Sequence, residues 1–262
     1  MVLLVHGGPW GRDTGGYSGE VQWLANRGYA VLQVNFRAST GFGKAFINAG
    51  NEEWAGAMHN DLVDAVEWAT KRRVADHRRV AIMGTSYGGY ATLVGLTFTP
   101  ELFACGVDIV GPSNLNTLLA SIPPYWEGFR KTLITAIGDP ATEHGRKLLN
   151  ERSPINRVDA ITKPLLIGQG ANDPRVKQAE SDQIVDAMKT KSIPVTYALF
   201  PDEGHGFQKP ENSQAFYAVA ESFLGNCLKG RVQPIGDDLK NSSIRIQAGA
   251  ANVPGLQQAL VN

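Results

Sequence analysis

Short apolar runs of strand length alternate with helical patterns along most of this chain. The strand-like runs cover residues 2–5, 29–36, 79–83, 104–110, 164–168 and 194–200, and the helical patterns cover 19–26, 55–73, 87–97, 180–188 and 212–228. Such alternation is typical of βαβ crossovers, which join parallel strands. Nearly every strand position is apolar, as expected when helices cover both faces of a sheet. We therefore predict an α/β fold with a mostly parallel sheet flanked by helices.

The length of the chain fits one domain of this kind. A chain of 262 residues with 43% apolar content can bury one large core, and we predict this domain over residues 1–230. Within it, residues 112–158 are too long for a simple crossover and are predicted to form a helical excursion or lid. Residues 231–262 are predicted as a C-terminal extension with one strand-like piece at 243–246.

The charge balance argues against several classes of partner. Twenty-five basic and 25 acidic residues give a formal net charge of zero, so electrostatics predict neither a nucleic-acid nor a membrane partner. No apolar run approaches the roughly 18 residues of a membrane span. The run before His6 is too short for a signal peptide. We expect a soluble chain without a targeting signal, assigned to the cytoplasm by default unless it is a fragment.

The residue types that hold metals and cofactors do not form the required patterns. Cys105 and Cys227 are too few for a disulfide framework or a zinc site, and we expect two free thiols. No His-x-x-x-His or Cys-x-x-Cys spacing occurs, so no metal is predicted. Gly41-Phe42-Gly43 lacks the third glycine of a dinucleotide site. No cofactor is therefore predicted.

A Gly-x-Ser-x-Gly pattern lies where a predicted strand turns into a predicted helix. The residues are Gly84-Thr85-Ser86-Tyr87-Gly88, directly after the run at 79–83. In this context the serine occupies a strained turn that raises its hydroxyl above the sheet, and the flanking glycines let neighbouring backbone approach. Because a serine hydroxyl needs a base to become a good nucleophile, the pattern also predicts acid and histidine partners later in the chain.

Two histidines follow the serine, and only one lies at the end of a predicted strand. His205 comes between the run at 194–200 and the last helix, whereas His144 lies in the irregular excursion. Because catalytic groups of open α/β sheets gather at the carboxyl ends of the strands, we predict His205 as the base.

The acid is expected at the end of another strand. Asp173 follows the run at 164–168, one strand before His205. Asp182 lies inside the next helical pattern, and Asp202 is too close to His205 in the chain to approach the ring from behind. We predict Asp173, which would fix the tautomer of the imidazole and stabilise the imidazolium.

Two backbone N–H groups are candidates for stabilising an oxyanion. One belongs to Tyr87, directly after the serine, and the other to Gly8, in the loop after the first strand. An ordinary Gly-Pro turn is the alternative for Gly8. The aromatic residues Tyr125, Trp126 and Phe129 either line a substrate pocket or belong to the core, and the sequence leaves both open.

Several segments together resemble one known family. They are His6-Gly7-Gly8-Pro9, the segment 35–43, the segment 84–90, Asn172-Asp173-Pro174-Arg175-Val176 and Glu203-Gly204-His205-Gly206-Phe207. In this order they resemble the prolyl oligopeptidase family, nearest to its acylaminoacyl-peptidase and dipeptidyl-peptidase-like branch. The resemblance covers nearly the whole chain.

The resemblance implies an α/β-hydrolase fold over residues 1–230 and a triad of Ser86, Asp173 and His205. It further implies cleavage of short peptides or acylaminoacyl substrates, and contact between Arg175 and the substrate. Family members carry a β-propeller before the hydrolase domain, which this chain lacks. The first strands of the usual sheet are expected to be missing too, so the chain is expected to be a fragment or a shortened relative.

We therefore predict a serine hydrolase that cleaves acyl bonds of small peptide or ester substrates through an acyl-enzyme. A carboxylesterase acting on small esters is the alternative, because a triad does not specify the leaving group. An inactive scaffold or assembly module is less favoured. An exposed sheet edge would also allow the chain to form a homo-oligomer.

Overall fold

One mostly parallel sheet runs through the chain in the computed structural model, which describes residues 1–122 and 124–261. Its strands are β1 (Val2–Val5), β2 (Val31–Gln33), β3 (Ala81–Thr85), β4 (Cys105–Ile109), β5 (Leu165–Gly170), β6 (Thr196–Phe200) and β7 (Arg245–Ala248). The order across the sheet is β2-β1-β3-β4-β5-β6-β7, and only the pair β6 and β7 is antiparallel. The predicted sheet is confirmed. Residue 123 of the predicted excursion and residue 262 of the predicted extension lie outside the described residues.

Helices cover both faces of this sheet. In the described residues they are α1 (Gly19–Asn26), α2 (Lys44–Asn48), α3 (Ala57–Lys71), α4 (Tyr87–Phe98), α5 (Leu115–Ala120), α6 (Arg130–Ile137), α7 (Glu143–Glu151), α8 (Gln178–Thr190), α9 (Pro210–Leu228) and α10 (Leu256–Ala259). Short 3₁₀ segments occupy Pro124–Phe129, Pro154–Ala160 and Ala250–Asn252. Among the described residues, no helix combines the length and the apolar character that crossing a bilayer requires.

Alternate residues of the strands feed two separate apolar cores. Leu3 and Ile82 belong to the core on the face of α3, α4 and α8, whereas their neighbours Val2 and Ala81 belong to the core on the face of α1 and α9. All four side chains are fully buried. This two-sided burial explains why the strands read as continuous apolar runs rather than as alternating patterns.

The C-terminal segment extends the same sheet and the same core. Strand β7 pairs with β6, two residues later than the predicted strand-like piece. Four residues of the segment are buried in the second core, namely Ile235, Leu239, Val253 and Leu256. Residues 231–261 therefore contribute an edge strand to this sheet and buried side chains to the second core.

The expectation of two free thiols is wrong. Cys105 and Cys227 form a disulfide between β4 and α9, with their Cα atoms 6.4 Å apart. The two residues are 122 positions apart in sequence, so spacing gave no sign that α9 packs across β4. Only the packing of α9 on a central strand brings the two sulfurs together.

The segment predicted as an excursion forms a small helical layer. It contains the helices α5, α6 and α7 and the 3₁₀ turn at Pro124–Phe129. Leu119, Leu133 and Ile137 from this layer are buried in the first core. Because the segment follows β4 and returns to β5, it lies above the carboxyl ends of the central strands.

Candidate active site

Ser86 occupies a strained turn between β3 and α4. Its backbone has φ 61° and ψ −115°, in the left-handed region that residues with a side chain rarely adopt. A Cβ at Gly84 would lie 2.6 Å from the Val5 carbonyl oxygen, and a Cβ at Gly88 would collide with the same oxygen. The glycines on both sides of the serine are thus required sterically, as the sequence pattern predicts.

The serine turn is hydrogen-bonded to the neighbouring strand β4. The Ser86 N–H donates to the Ile109 carbonyl at 2.8 Å. Asp108, fully buried on the same strand, accepts from the Gly111 N–H at 2.8 Å, and a Cβ at Gly89 would collide with this carboxylate. Burial raises the pKa of Asp108 well above its ordinary value. Asp108 therefore supports the turn through its hydrogen bond to the Gly111 N–H.

Asp173 lies in the loop after β5 and is almost completely buried. Its Oδ1 accepts from the backbone N–H groups of Arg175 and Val176, at 2.8 and 3.0 Å. Its Oδ2 accepts from His205 Nδ1 at 2.7 Å. Because a carboxylate can only accept, Nδ1 carries a proton, and Nε2 of the neutral ring is left as the basic nitrogen.

The loop that carries His205 is closed by the carboxylate of Glu203. This buried side chain accepts from the N–H groups of Gln208 and Lys209, at 3.0 and 2.8 Å. The Glu203 carbonyl accepts from the Asn172 N–H at 2.9 Å, next to Asp173. Glu203 thus ties the histidine loop both to the residues directly before α9 and to the loop of the acid.

The residues that were not chosen as acid or base, His144, Asp182 and Asp202, interact with other groups. His144 is largely exposed, and its Nε2 lies 3.2 Å from Glu52 Oε2. Asp182 accepts from the Tyr197 hydroxyl at 2.9 Å. Asp202 interacts with Lys209 and Ser243, and these partners lower its pKa to about 2. None of the three contacts His205.

Ser86 and His205 line one open cavity of about 470 Å³ above the carboxyl ends of the strands. Gly8, Trp126, Phe129 and Arg175 line it as well, together with Gly7, Trp10, Thr85 and Leu133. The fold therefore brings the serine, the histidine and the glycine loop to the same space. Tyr125 is outside this lining and 63% exposed, in edge contact with Trp126.

Two backbone N–H groups are available beside Ser86. Tyr87 is the first residue of α4, where N–H groups have no partner within the helix. Gly8 is exposed to the cavity with φ 123°, and its N–H has no acceptor among the described residues. A Cβ at the neighbouring Gly7 would lie only 3.0 Å from the Thr85 carbonyl oxygen, so the glycine loop packs directly against the serine turn.

A second, narrower pocket opens beside Ser86 and is mostly apolar. Trp54, Tyr87 and Val176 form part of its walls. The rest is formed by aliphatic residues of the helical layer, namely Leu118, Leu119, Ile122, Leu133 and Ile137. Arg175 lies at its border and places its guanidinium 5.5 Å from the centre of the Trp126 ring. The sequence analysis missed these pocket residues, because nothing in their spacing shows that the layer folds back over the serine.

Glu180 anchors the helix that supplies part of this pocket. Its buried carboxylate accepts from the N–H groups of Ser113 and Asn114, at 3.0 and 2.9 Å, just before α5 begins. Burial raises the pKa of Glu180, and these hydrogen bonds oppose the rise. The α5 wall of the pocket is therefore fixed to α8 rather than free to swing.

The comparison with known proteins points to one family. The model of the prolyl oligopeptidase family matches residues 16–231, which is most of the chain. The chain belongs to the prolyl oligopeptidase family. Dipeptidyl aminopeptidase BIII of Pseudoxanthomonas mexicana is 69% identical over 260 residues, covering 99% of this chain and 38% of the relative. Dipeptidyl peptidase family member 6 of Caenorhabditis elegans is 59% identical over 94% of this chain and 34% of its own length.

Solved structures of peptidases share the fold. A puromycin-hydrolyzing peptidase of Mycobacterium tuberculosis superposes with a TM-score of 0.81 at 31% identity, covering 90% of this chain and 35% of that one. An acylaminoacyl peptidase structure gives 0.78 at 28% identity, over 88% of this chain and 37% of that one. The chain thus spans little more than a third of the length of these relatives and solved structures, and the α/β-hydrolase fold is confirmed.

Proposed function

We propose that the chain is the catalytic part of a serine peptidase in which Ser86 is the nucleophile, His205 the base and Asp173 the acid. The observation that carries this proposal is the 2.7 Å bond from His205 Nδ1 to Asp173. It leaves the basic nitrogen of the ring, Nε2, for the cavity that Ser86 also lines. A strained serine, an oriented imidazole and a buried carboxylate are the parts that acyl transfer requires.

In the first half of the reaction, the Ser86 oxygen attacks the carbonyl carbon of the substrate while His205 Nε2 takes the hydroxyl proton. The carbonyl oxygen becomes an oxyanion, for which the N–H groups of Gly8 and Tyr87 are the proposed donors. The tetrahedral intermediate collapses when His205 returns the proton to the leaving amine. The products of this half are the free amine and an ester between the acyl group and Ser86.

In the second half, water replaces the amine. His205 removes a proton from the water, whose oxygen attacks the acyl carbon, and the same proton then returns to Ser86. The carboxylic acid leaves and the starting enzyme is restored. Asp173 stays ionised throughout, because its role is to orient the ring and to stabilise the imidazolium.

The pocket beside Ser86 supports a preference for substrates with an apolar side chain on the acyl side of the cleaved bond. Its lining is aliphatic and aromatic, and Arg175 at its border is placed to donate to a carbonyl oxygen of the peptide. Trp126 and Phe129 would flank the peptide in the open cavity. The exposed position of Tyr125 gives less support for a role in binding.

The nucleophile is tested with Ser86→Ala. We expect this variant to lose hydrolysis of p-nitrophenyl acetate and of peptidyl anilides, and to lose labelling by a fluorophosphonate, with an unchanged melting temperature. Ser222→Ala is the matched control, since Ser222 is a buried serine on α9 that bonds to the Pro254 carbonyl. Activity that survives in Ser86→Ala would exclude Ser86 as the nucleophile.

The substrate class is tested with a panel of anilides and short-chain esters that differ in the acyl residue. We expect higher kcat/KM for leucyl and alanyl derivatives than for aspartyl or lysyl ones, because a charged group in the apolar pocket would lose its hydration. A preference for charged residues would contradict the assigned pocket. Esters hydrolysed at high kcat/KM while all anilides remain intact would indicate a carboxylesterase instead.

A further inference from the structure

The imidazole of His6 connects the glycine loop to a buried serine. His6 is the last residue before Gly7 and Gly8, and its ring stacks on Phe36 with 4.5 Å between the ring centres. His6 Nδ1 lies 2.8 Å from the Gly7 carbonyl oxygen, and Nε2 lies 2.9 Å from Ser39 Oγ. Ser39 is completely buried. Both ring nitrogens are therefore in use, and His6 is not among the residues that line the cavity of Ser86.

Hydrogen-bond roles within this group follow from one constraint. A carbonyl oxygen can only accept, so His6 Nδ1 carries the proton that the Gly7 carbonyl receives. In the neutral ring Nε2 is then an acceptor, and the Ser39 hydroxyl must donate to it. The Gly7 carbonyl thus sets the tautomer of His6, and the Ser39 hydroxyl holds the ring in place through Nε2.

Holding the Gly7 carbonyl also fixes the next N–H group. The peptide unit that contains the Gly7 carbonyl contains the Gly8 N–H, and the planarity of this unit makes the two bonds point in opposite directions. The Gly7 carbonyl is held by the His6 ring, at 2.8 Å from Nδ1. A rotation of the unit that released this carbonyl would also turn the Gly8 N–H.

Thr40, directly after Ser39, is hydrogen-bonded to Gly11 at the other end of the glycine loop. The Thr40 N–H donates to the Gly11 carbonyl at 2.9 Å. A Cβ at Gly11 would lie 2.7 Å from His6 Nδ1, so the loop closes tightly around the imidazole. Both ends of the loop are thus tied to neighbouring residues, Ser39 through His6 and Thr40 directly.

We infer that Ser39 and His6 are positioning residues that orient the Gly8 N–H toward the oxyanion. This inference rests on the proposed function, because the oxyanion forms only if Ser86 attacks a carbonyl. Neither side chain touches the substrate. Their contribution would be made in the transition state, in which the Gly8 N–H bonds to the oxyanion, rather than in substrate binding.

The test compares Ser39→Ala with the same Ser222→Ala control in the 262-residue chain. Removing a whole oxyanion donor typically costs about 10²–10³ in kcat, so we expect a displaced donor to cost about tenfold. The KM should change less than twofold, and affinity for a peptidyl trifluoromethyl ketone, whose adduct carries the oxyanion, should fall about tenfold. Ser39→Thr, which keeps the hydroxyl, should restore kcat.

A double-variant cycle tests whether Ser39 acts through His6. His6→Phe keeps a ring on Phe36 and removes both hydrogen bonds, so Ser39→Ala should reduce kcat no further in that background. If the two substitutions lowered kcat by independent factors that multiply in the double variant, the inference would be overturned. An unchanged kcat in Ser39→Ala would also overturn it. If Ser86→Ala keeps its activity, the proposed function fails first. If Ser86→Ala is inactive and Ser39→Ala is normal, only this inference fails.

Discussion

At the scale of single residues, the site depends on steric and hydrogen-bonding rules that leave few choices. Ser86 has a positive φ in a turn where a Cβ at Gly84 or Gly88 would collide with the backbone. Both carboxylate oxygens of Asp173 accept hydrogen bonds, one from backbone N–H groups and one from His205. Exchanging one atom at such a residue therefore changes the chemistry without disturbing the backbone.

Asp173→Asn tests the orientation of the ring. The amide oxygen can still accept from the N–H groups of Arg175 and Val176, but the amide nitrogen would then donate toward His205 and favour the wrong tautomer. We expect kcat to fall by a factor on the order of 10⁴, with KM nearly unchanged and the fold retained. Steady-state kinetics with a peptidyl anilide measure this.

Asp182→Asn provides the control for the same chemical change. Asp182 lies on α8 and accepts from the Tyr197 hydroxyl, away from His205. Its variant should keep the wild-type kcat. If the two variants lost similar activity, Asp173 would have no special role as the acid.

At the scale of elements, helices and loops carry the reacting groups. The site is therefore folded only in the pH range in which these elements are stable. The helix α3 packs on α4, which begins at the serine turn, through the buried His59. His59 Nε2 lies 2.9 Å from Thr99 Oγ1, directly after α4, and Nδ1 has no partner among the described residues. Burial lowers the pKa of His59 to about 4.

This shift of the His59 pKa makes the stability of the fold sensitive to acid. The unfolded chain binds a proton near the ordinary pKa of 6.5, whereas the folded chain resists it until about pH 4. The contribution is therefore complete above pH 6.5 and is lost as the pH falls from 6.5 toward 4. Between pH 7 and 4.5 the expected loss is about 2 to 3 kcal/mol of unfolding free energy.

Urea unfolding at pH 7 and pH 4.5 measures this loss, with His59→Gln as the comparison. The glutamine does not titrate and can still bond to Thr99, so the variant should lose less stability over the same pH range. Equal losses in both proteins would show that His59 does not contribute to the acid sensitivity.

At the scale of the whole molecule, the two edges of the sheet differ. The edge strand β2 is short, parallel to β1 and only partly buried. The other edge, β7, is antiparallel to β6 and followed by a 3₁₀ turn and α10. An edge strand presents unpaired backbone groups that can pair with a second copy.

We expect the chain to form a homo-oligomer through β2, and light scattering after size exclusion should give at least twice 28.3 kDa. Gln33→Glu places a negative charge on this edge beside Asp13, and two such edges should repel each other and restore the monomer. Gln247→Glu makes the same change on β7 and should leave the oligomer intact. A monomeric wild type, or a dimer that responds only to Gln247→Glu, would contradict pairing through β2.

The sequence by itself determined the parallel sheet and the location of the serine turn, because both depend on local patterns. Apolar runs specify buried strands, and glycines beside Ser86 specify a close approach of backbone. His205 and Asp173 could be chosen because strand ends of an α/β sheet meet at one edge. These inferences need only the order of elements, not their packing.

Only the tertiary structure decided how distant segments meet. The apolar pocket joins Trp54, Val176 and the helical layer, and the disulfide joins β4 to α9. The link from Ser39 through His6 to the glycine loop likewise crosses 33 positions of sequence. Contacts of this kind have no periodicity to reveal them, since they arise where side chains from separate elements fill the same space.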